Sequence, residues 1–444
     1  MARRSGTDTK LARARLWEIM IDTLRFTTDE DEISSYLEPG SPTDNIIAVI
    51  SPRGQSDIEN ALEVARNYKL AVYTPQPWGI KPKKTGFIID FKSMADVLGL
   101  DSKRLFLEVE SGVTWEQVLP DLAARGVRIA LPAAAHSKYI LDNVMEREIV
   151  QSACRFSNRQ LGTFHAVLAD GREYRSGSDA LPTSIAHWRE DGGPNISRVF
   201  SGSRNSFGLP VRGYVYLYPE PEDRKIVAHG FASRAQACKL AQAAARSEIG
   251  TEVVLLNKAK AKGLLGDDPG LEPWTVVFGL EGSPKLVAYH EKRLGEKAGE
   301  LKLKPKAAGV KAAEAFSEAL GRPWYAPPLS IGFYTNFSRV EELSGMVETA
   351  LKSKGGLAQM IVPVKHGASV YLQFDLPGSG NGAGAAIEKL LPELADAGAF
   401  FSNPTGTLAA HIFSKQPLYL RLLKDIKLLI DPENVLNPGQ VVEV

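Results

Sequence analysis

Before residue 130 the chain twice writes a strand and a helix whose first Ser or Thr is followed three residues later by Glu or Gln. Ile46–Ile50 reads as a strand, Ser51-Pro52-Arg53-Gly54 as a turn, Ser56 with Glu59 as a helix start, and Leu70–Tyr73 as the next strand. Phe87–Asp90 and Leu105–Glu110 are again strands, and Thr114 with Gln117 opens a helix to Arg125. Two such units predict small α/β subdomains rather than a sandwich or a bundle.

From Phe164 the pattern changes. Ala166-Val167-Leu168 and Glu173-Tyr174 flank Asp170-Gly171, a hairpin signal, and Gly213–Tyr218 alternates into Pro219, where a boundary is expected. Residues 220–399 then alternate strands and helices, with helices over Ser233–Arg246, Pro284–Leu303, Val340–Lys352 and Ala385–Asp396. A strand pair, Ala358–Val364 and Ser369–Phe374, is joined at His366-Gly367. The Lys- and Gly-rich runs Lys302–Lys311 and Gly378–Gly384 read as solvated loops.

Lys and Arg number 53 against 52 Asp and Glu, so nothing recruits nucleic acid or a membrane by net charge. With 44% apolar residues over 444 positions, two or three ordinary domains can be filled. Cys154 and Cys238 are too few for an iron–sulfur cluster or a disulfide framework, which fits a cytoplasmic setting. Near the basic N-terminus, Leu11, Leu16, Met20 and Leu24 read better as the stripe of an ordinary amphipathic helix than as a mitochondrial transit peptide, and the run is neither a secretory h-region nor a membrane span.

The blocks Gly86-Phe-Ile-Ile-Asp-Phe-Lys-Ser-Met94 and Phe106-Leu-Glu-Val-Glu-Ser-Gly-Val-Thr-Trp-Glu-Gln-Val118 resemble the FAD-binding family of p-cresol methylhydroxylase and vanillyl-alcohol oxidase, which includes glycolate and D-lactate dehydrogenase subunits. Other blocks agree in order: Ser51-Pro52 with Ile58 and Ala61, Ala166–Gly171, Gly202-Ser203 with Phe207-Gly208-Leu209, and Ile430–Gly439. The resemblance implies an α+β chain: an N-terminal helical extension (1–44), a two-subdomain FAD-binding domain of the p-cresol methylhydroxylase type (45–219), an α/β cap (220–399), and a segment (400–444) returning to the first part.

It also implies non-covalent FAD held by Pro77, Trp78, Gly79, Ile80, His136, Ser137, Asn143, Gly202, Ser203, Gly208 and Asn437. Loops that approach a pyrophosphate need glycines and free N–H groups. Here the first, Thr74-Pro-Gln-Pro-Trp-Gly-Ile-Lys81, has one glycine and two prolines, and the second puts Asp142 where a glycine is expected beside Asn143. Arg204 and Asn205 stand where the family has an acid and a glycine.

His366, in the cap turn, is the candidate base that takes a hydroxyl proton from a small substrate, a 2-hydroxy acid or a benzylic alcohol. The family's metal-dependent members carry a His-rich cap motif and a Glu-His-Gly run; neither stands here, so no metal is expected. With no cluster cysteines, electrons from a reduced flavin leave through another chain or go to oxygen; an electron-carrier subunit is the more economical reading, and the expected assembly is a hetero-oligomer. The alternative is a flavin-poor or flavin-free structural subunit paired with an active homologous flavoprotein.

Overall fold

The computed structural model describes residues 24–181, 183, 193–266, 270–351, 356–376 and 383–443. Most of the predicted N-terminal stripe, from Leu11 to Met20, and residues 378–382 of the Gly378–Gly384 run lie outside those residues, while Ala383 and Gly384 begin a helix rather than end a loop.

The first sheet has the strand order Phe26–Thr27, Ile46–Ile50, Gly86–Ile89, Ala71–Tyr73; the last three strands run parallel and Phe26–Thr27 pairs antiparallel at the edge. Its central strands are buried along their length because the helix Gln55–Asn67 packs Ile58, Ala61, Leu62 and Ala65 onto them. That helix begins one residue earlier than expected and uses no Ser56 box. Gly54 is its N-cap, and Asp57 instead accepts the Arg53 N–H at 2.8 Å. The second box forms: Thr114 and Gln117 cap Trp115–Ala124 reciprocally.

The second sheet is antiparallel, in the order Val97–Asp101, Phe106–Glu110, Leu209–Tyr216, Leu161–Val167, Glu173–Arg175. The expected hairpin closes it at Asp170-Gly171, with Leu168 N–H donating to the Arg172 carbonyl.

A seven-stranded sheet fills the third region, in the order Lys306–Ala307, Asp223–Phe231, Trp274–Gly282, Glu252–Asn257, Ala358–Val364, Ser369–Asp375, Ser330–Thr335. Helices Arg234–Arg246, Pro284–Glu300, Val340–Ala350 and Ala383–Asp396 cover one face. Lys258–Leu265 and Val310–Leu320 cover part of the other. The run expected to be a loop at Lys302–Lys311 carries instead an edge strand paired with His229–Gly230 and the start of a helix.

The rest of that second face packs on Ala130, Ala133, Ala134, Ile149, Val150 and Ala153. Small side chains let the second loop lie close beneath the cap sheet, so the loop is held between two regions.

The tail returns to the first sheet. Leu436 bridges Val72, and Val435 and Leu436 enter the core of that sheet. The return is anchored by Lys427, fully buried in the helix Pro417–Ile430. Its Nζ donates to Asp431 Oδ2 (2.6 Å), the Ser206 carbonyl (2.7 Å) and the Leu436 carbonyl (2.8 Å). Asp431 accepts in addition from the Val435 and Leu436 N–H groups, so neither buried charge lacks partners.

Candidate flavin and substrate cleft

The first loop leaves the strand Ala71–Tyr73 and turns at Gly79 (φ +86°), where a side chain would overlap the backbone of Leu37 and Glu38. Ile80 donates its N–H to the Tyr36 carbonyl and is buried with Ile33, Leu37 and Val49. Ile80 therefore seats the loop from behind. Pro77, Trp78 and Gly79 line an open cleft in front.

The second loop runs into the short helix Ile140–Met145. Buried Asn143 holds its shape, accepting the His136 N–H at 3.1 Å and donating to the carbonyls of Ser137 and Tyr139. Ser137 Oγ accepts the Tyr139 N–H.

His136 Nε2 lies 3.2 Å from Asp142 Oδ2, and Nδ1 lies 2.8 Å from Glu148 Oε1 in ion-pair contact without hydrogen-bond alignment. Burial alone would push the imidazole pKa down, yet the Asp142 and Glu148 carboxylates raise it to about 9. Burial likewise opposes the Asp142 charge, but the His136 imidazolium holds that carboxyl below its usual range. Asp142 is thus the counter-ion of His136. Arg204 completes the cluster, 3.3 Å from Glu146 and 3.6 Å from Glu148.

The third loop carries Gly202, where a Cβ would overlap the Arg147 guanidinium and Asn403. Ser203 Oγ donates to the Phe200 carbonyl, and Gly208 sits against the Phe200 ring. Both are structural supports. Arg204 and Asn205 follow with φ of 50° and 57°, a left-handed pair that aims the Arg204 side chain into the cleft and Asn205 toward the first loop.

Asn437, from the tail, meets them with φ of 39°. Its Oδ1 accepts the Thr74 N–H (3.0 Å), and its Nδ2 donates to Thr74 Oγ1 (3.0 Å) and the Arg204 carbonyl (2.9 Å). Asn205 Nδ2 donates to the same Thr74 Oγ1 at 3.2 Å. Where these elements converge, with Tyr139, Asp142 and Asp90 opposite, the remaining cavity is 20 Å³.

The cleft beyond measures 410 Å³ and lies between the loops and the cap sheet. Sequence reasoning missed much of its wall: Arg147, Glu148, Tyr334, Tyr371, Gln373 and Asn403. Five cationic side chains, Lys81, Lys83, His136, Arg147 and Arg204, stand against three carboxylates, Glu38, Glu148 and Glu388. Tyr371 donates to Gln373 Oε1 at 2.6 Å, and burial keeps its phenol protonated well above the ordinary range. Their strand placement follows from alternation: residues 371 and 373 share a face.

His366 is not in this wall. It is exposed in the left-handed turn between Ala358–Val364 and Ser369–Asp375, with its N–H on the Cys154 carbonyl. The strand pair was placed correctly, but its turn lies at the end away from the cleft. Among the described residues no group of three His, Cys, Asp or Glu that could hold a metal ion is present, and no helix is long and apolar enough to cross a membrane.

Two sheets with loops converging between them, a cap sheet over the resulting cleft and a tail returning to the first sheet define a capped flavin-binding fold. Residues 46–177 match the family profile described as FAD binding domain, and residues 413–441 that described as FAD linked oxidases, C-terminal domain. The first part of the chain thus matches an FAD binding domain and its tail an FAD linked oxidase C-terminal domain, and FAD is the cofactor of the domain matched.

A crystal structure of p-cresol methylhydroxylase with substrate bound superposes with a TM-score of 0.83 at 18% identity, covering 99% of this chain and 98% of that one. The 1'-carboxy-chondrochloren decarboxylase of Chondromyces crocatus is 22% identical over 47% of this chain and 40% of its own length. Glycolate oxidase subunit GlcD of Bacillus subtilis is 24% identical over 40% of this chain and 38% of its own length. The matched part thus spans about two fifths of the curated relatives.

The residues present fit FAD unequally. On the cleft side, Arg204 Nη1 is buried without a protein hydrogen-bond partner, a donor left for an acceptor in the cleft, beside Trp78 and Gly79. On the groove side, Thr74, Asn205 and Asn437 bond to one another, and the cavity bordered by Thr74, Asn205, Asp90 and Asp142 measures 20 Å³, far less than a dinucleotide fills.

Proposed function

We propose that the chain is an FAD-dependent oxidoreductase that oxidises a small, acidic, hydroxylated substrate beneath the cap sheet and passes the electrons to a partner subunit. The observation that carries this reading is the cleft itself: loop residues form one wall, cap strands the other, and cations outnumber carboxylates among its lining side chains. A 2-hydroxy acid or an acidic benzylic alcohol complements that surface.

FAD, when bound, supplies the hydride acceptor. Arg147 and Arg204 attract and orient the substrate anion; the buried Arg147 Nε and Arg204 Nη1 have no protein hydrogen-bond partner. Tyr371, whose proton is committed to Gln373, offers its oxygen to the substrate hydroxyl. Glu148 Oε1, between His136 and Arg204, takes the hydroxyl proton in place of His366, because His136 is already charged at neutral pH.

The electron outlet follows from the cysteines. Burial pushes the Cys154 and Cys238 thiols up to about 12, so neither is a thiolate at neutral pH. An electron-carrier subunit or a homologous flavoprotein completes the proposed cytoplasmic hetero-oligomer; the Bacillus relative is itself named as a subunit. A second reading, a structural subunit paired with an active homologous flavoprotein, is favoured by one observation, the closed groove. Tagged protein recovered from its native host tests the partner: a flavin- or haem-bearing companion supports it, and a lone monomer that turns over substrate with oxygen opposes it.

A further inference from the structure

Tyr371, Gln373 and Asp375 alternate along the strand Ser369–Asp375, so their side chains share one face of the cap sheet, the face that brings Tyr371 and Gln373 into the wall of the cleft. They are bonded in a row. Tyr371 donates its hydroxyl proton to Gln373 Oε1 at 2.6 Å, Gln373 Nε2 donates to Asp375 Oδ1 at 3.0 Å, and Asp375 Oδ2 is ion-paired with Lys260 Nζ. All four residues are buried.

Gly332 makes room for the row. It lies opposite Gln373 on the edge strand Ser330–Thr335, and a Cβ there would overlap the Tyr371 hydroxyl and Gln373 Oε1. Lys260 enters from the other end, on the helix Lys258–Leu265, whose start is fixed by the Asn257 side chain accepting the Lys260 N–H at 2.9 Å.

The chemistry of these groups gives the row a direction. The Lys260 ammonium can only donate and the Asp375 carboxylate beside it can only accept, so Gln373 turns its amide nitrogen toward Asp375 and its oxygen toward Tyr371. The reverse orientation would set the amide oxygen against the carboxylate, a buried contact with no proton in it. The phenol must then give its proton to Gln373. Its lone pairs remain, and no donor among the described residues reaches them.

We propose that Lys260, Asp375 and Gln373 are positioning residues that fix Tyr371 as a hydrogen-bond acceptor, so that the cleft favours a ligand carrying a hydroxyl over the ketone or aldehyde made from it. An alcohol supplies the missing donor. A carbonyl supplies a second acceptor, and two oxygens then meet in a buried wall without a proton between them. The bias that selects the substrate also releases its oxidised product. The proposal rests on the cleft being the substrate site described above.

The test is calorimetric titration of the full chain, supplied with excess FAD, with two acids that cannot react with oxidised flavin. One is 2-hydroxy-2-phenylpropanoate, a tertiary alcohol with no hydrogen on its carbinol carbon; the other is phenylglyoxylate, already a ketone. The proteins are the wild type, Asp375→Asn and Tyr371→Phe, with circular dichroism as the check on folding. The wild type should bind the alcohol tighter than the ketone by about tenfold or more. In Asp375→Asn the Lys260 ammonium holds the new amide oxygen, the new amide nitrogen faces Gln373, and the Gln373 amide reverses. Tyr371 then accepts from Gln373 and turns its proton to the cleft. The ketone should therefore bind this variant about tenfold tighter than it binds the wild type, a gain that damage to the fold would not produce. Tyr371→Phe leaves the ion pair intact and should erase the preference by weakening the alcohol instead.

A wild type that binds both acids equally, or the ketone more tightly, overturns the proposal. So does a preference unchanged in Tyr371→Phe, or a ketone affinity that does not rise in a folded Asp375→Asn; if that variant does not fold, Tyr371→Phe decides. Bleaching of the flavin by hydroxy acids would leave the oxidoreductase reading standing in each of these cases. The expected pattern of affinities in a protein whose flavin no hydroxylated substrate bleaches supports the proposal and overturns the oxidoreductase reading alone. Binding of neither acid to the wild type overturns the proposal.

Discussion

Asn437 and Thr74, 363 positions apart in sequence, exchange two hydrogen bonds of 3.0 Å: the Thr74 N–H donates to the asparagine oxygen, and the asparagine nitrogen donates to the threonine hydroxyl. The pair closes the chain's last segment onto its first β–α unit. It also brings Pro438, Gly439 and Gln440 to the wall of the cleft.

Asn437→Ala should lower stability by about 1–3 kcal/mol, since the buried Thr74 N–H and the Arg204 carbonyl each lose a partner. Urea unfolding monitored by intrinsic fluorescence checks this. Asn437→Asp is expected to fall between, because the oxygen that receives the N–H remains while the amide donor is lost.

Lys427→Met should cost about 3–5 kcal/mol, because it strands the fully buried Asp431 carboxylate. The same change releases the Ser206 and Leu436 carbonyls. Hydrogen exchange over residues 431–440 should rise with it, and the cap sheet should be unaffected.

The His136 ion pair sets an alkaline limit. Its folded pKa, about 9, lies above the ordinary histidine value of 6.5, so its stabilisation is complete below pH 6.5 and is lost as pH climbs through 9. The Asp142 carboxyl is lowered, so its share is present above the usual carboxylate range and is lost on acidification. The His136 contribution is about 3 kcal/mol at most. Unfolding free energies at pH 6 and pH 9.5 should differ in the wild type, and the difference should shrink in His136→Gln.

Much of the fold could be read in the residues because it depends on local periodicity: the Thr114 cap, the Asp170-Gly171 hairpin and the strand pair Ala358–Val364 and Ser369–Asp375 are short-range patterns. The loss of glycine from the loops was equally visible, and Pro77, Trp78, Gly79 and His136 do line the cleft. The hydrogen bonds that tie the tail and the third loop to the first were not visible, because nothing local marks Asn437 and Asn205 as partners of one threonine. Lys427 sits in a helix whose other charged residues face solvent, and only the fold reveals its burial. His366 was misplaced because a polar turn has the same composition whether it borders a cleft or the solvent.

The most direct measurement is an anaerobic reduction assay. FAD-loaded protein, prepared with excess cofactor, is mixed with a panel of small 2-hydroxy acids and acidic benzylic alcohols while the visible flavin band is followed. The account predicts that at least one such substrate bleaches the band, and that Glu148→Gln slows bleaching by about 10²-fold or more while FAD still binds. A band that no hydroxylated substrate bleaches, or bleaching that Glu148→Gln leaves unchanged, would contradict it.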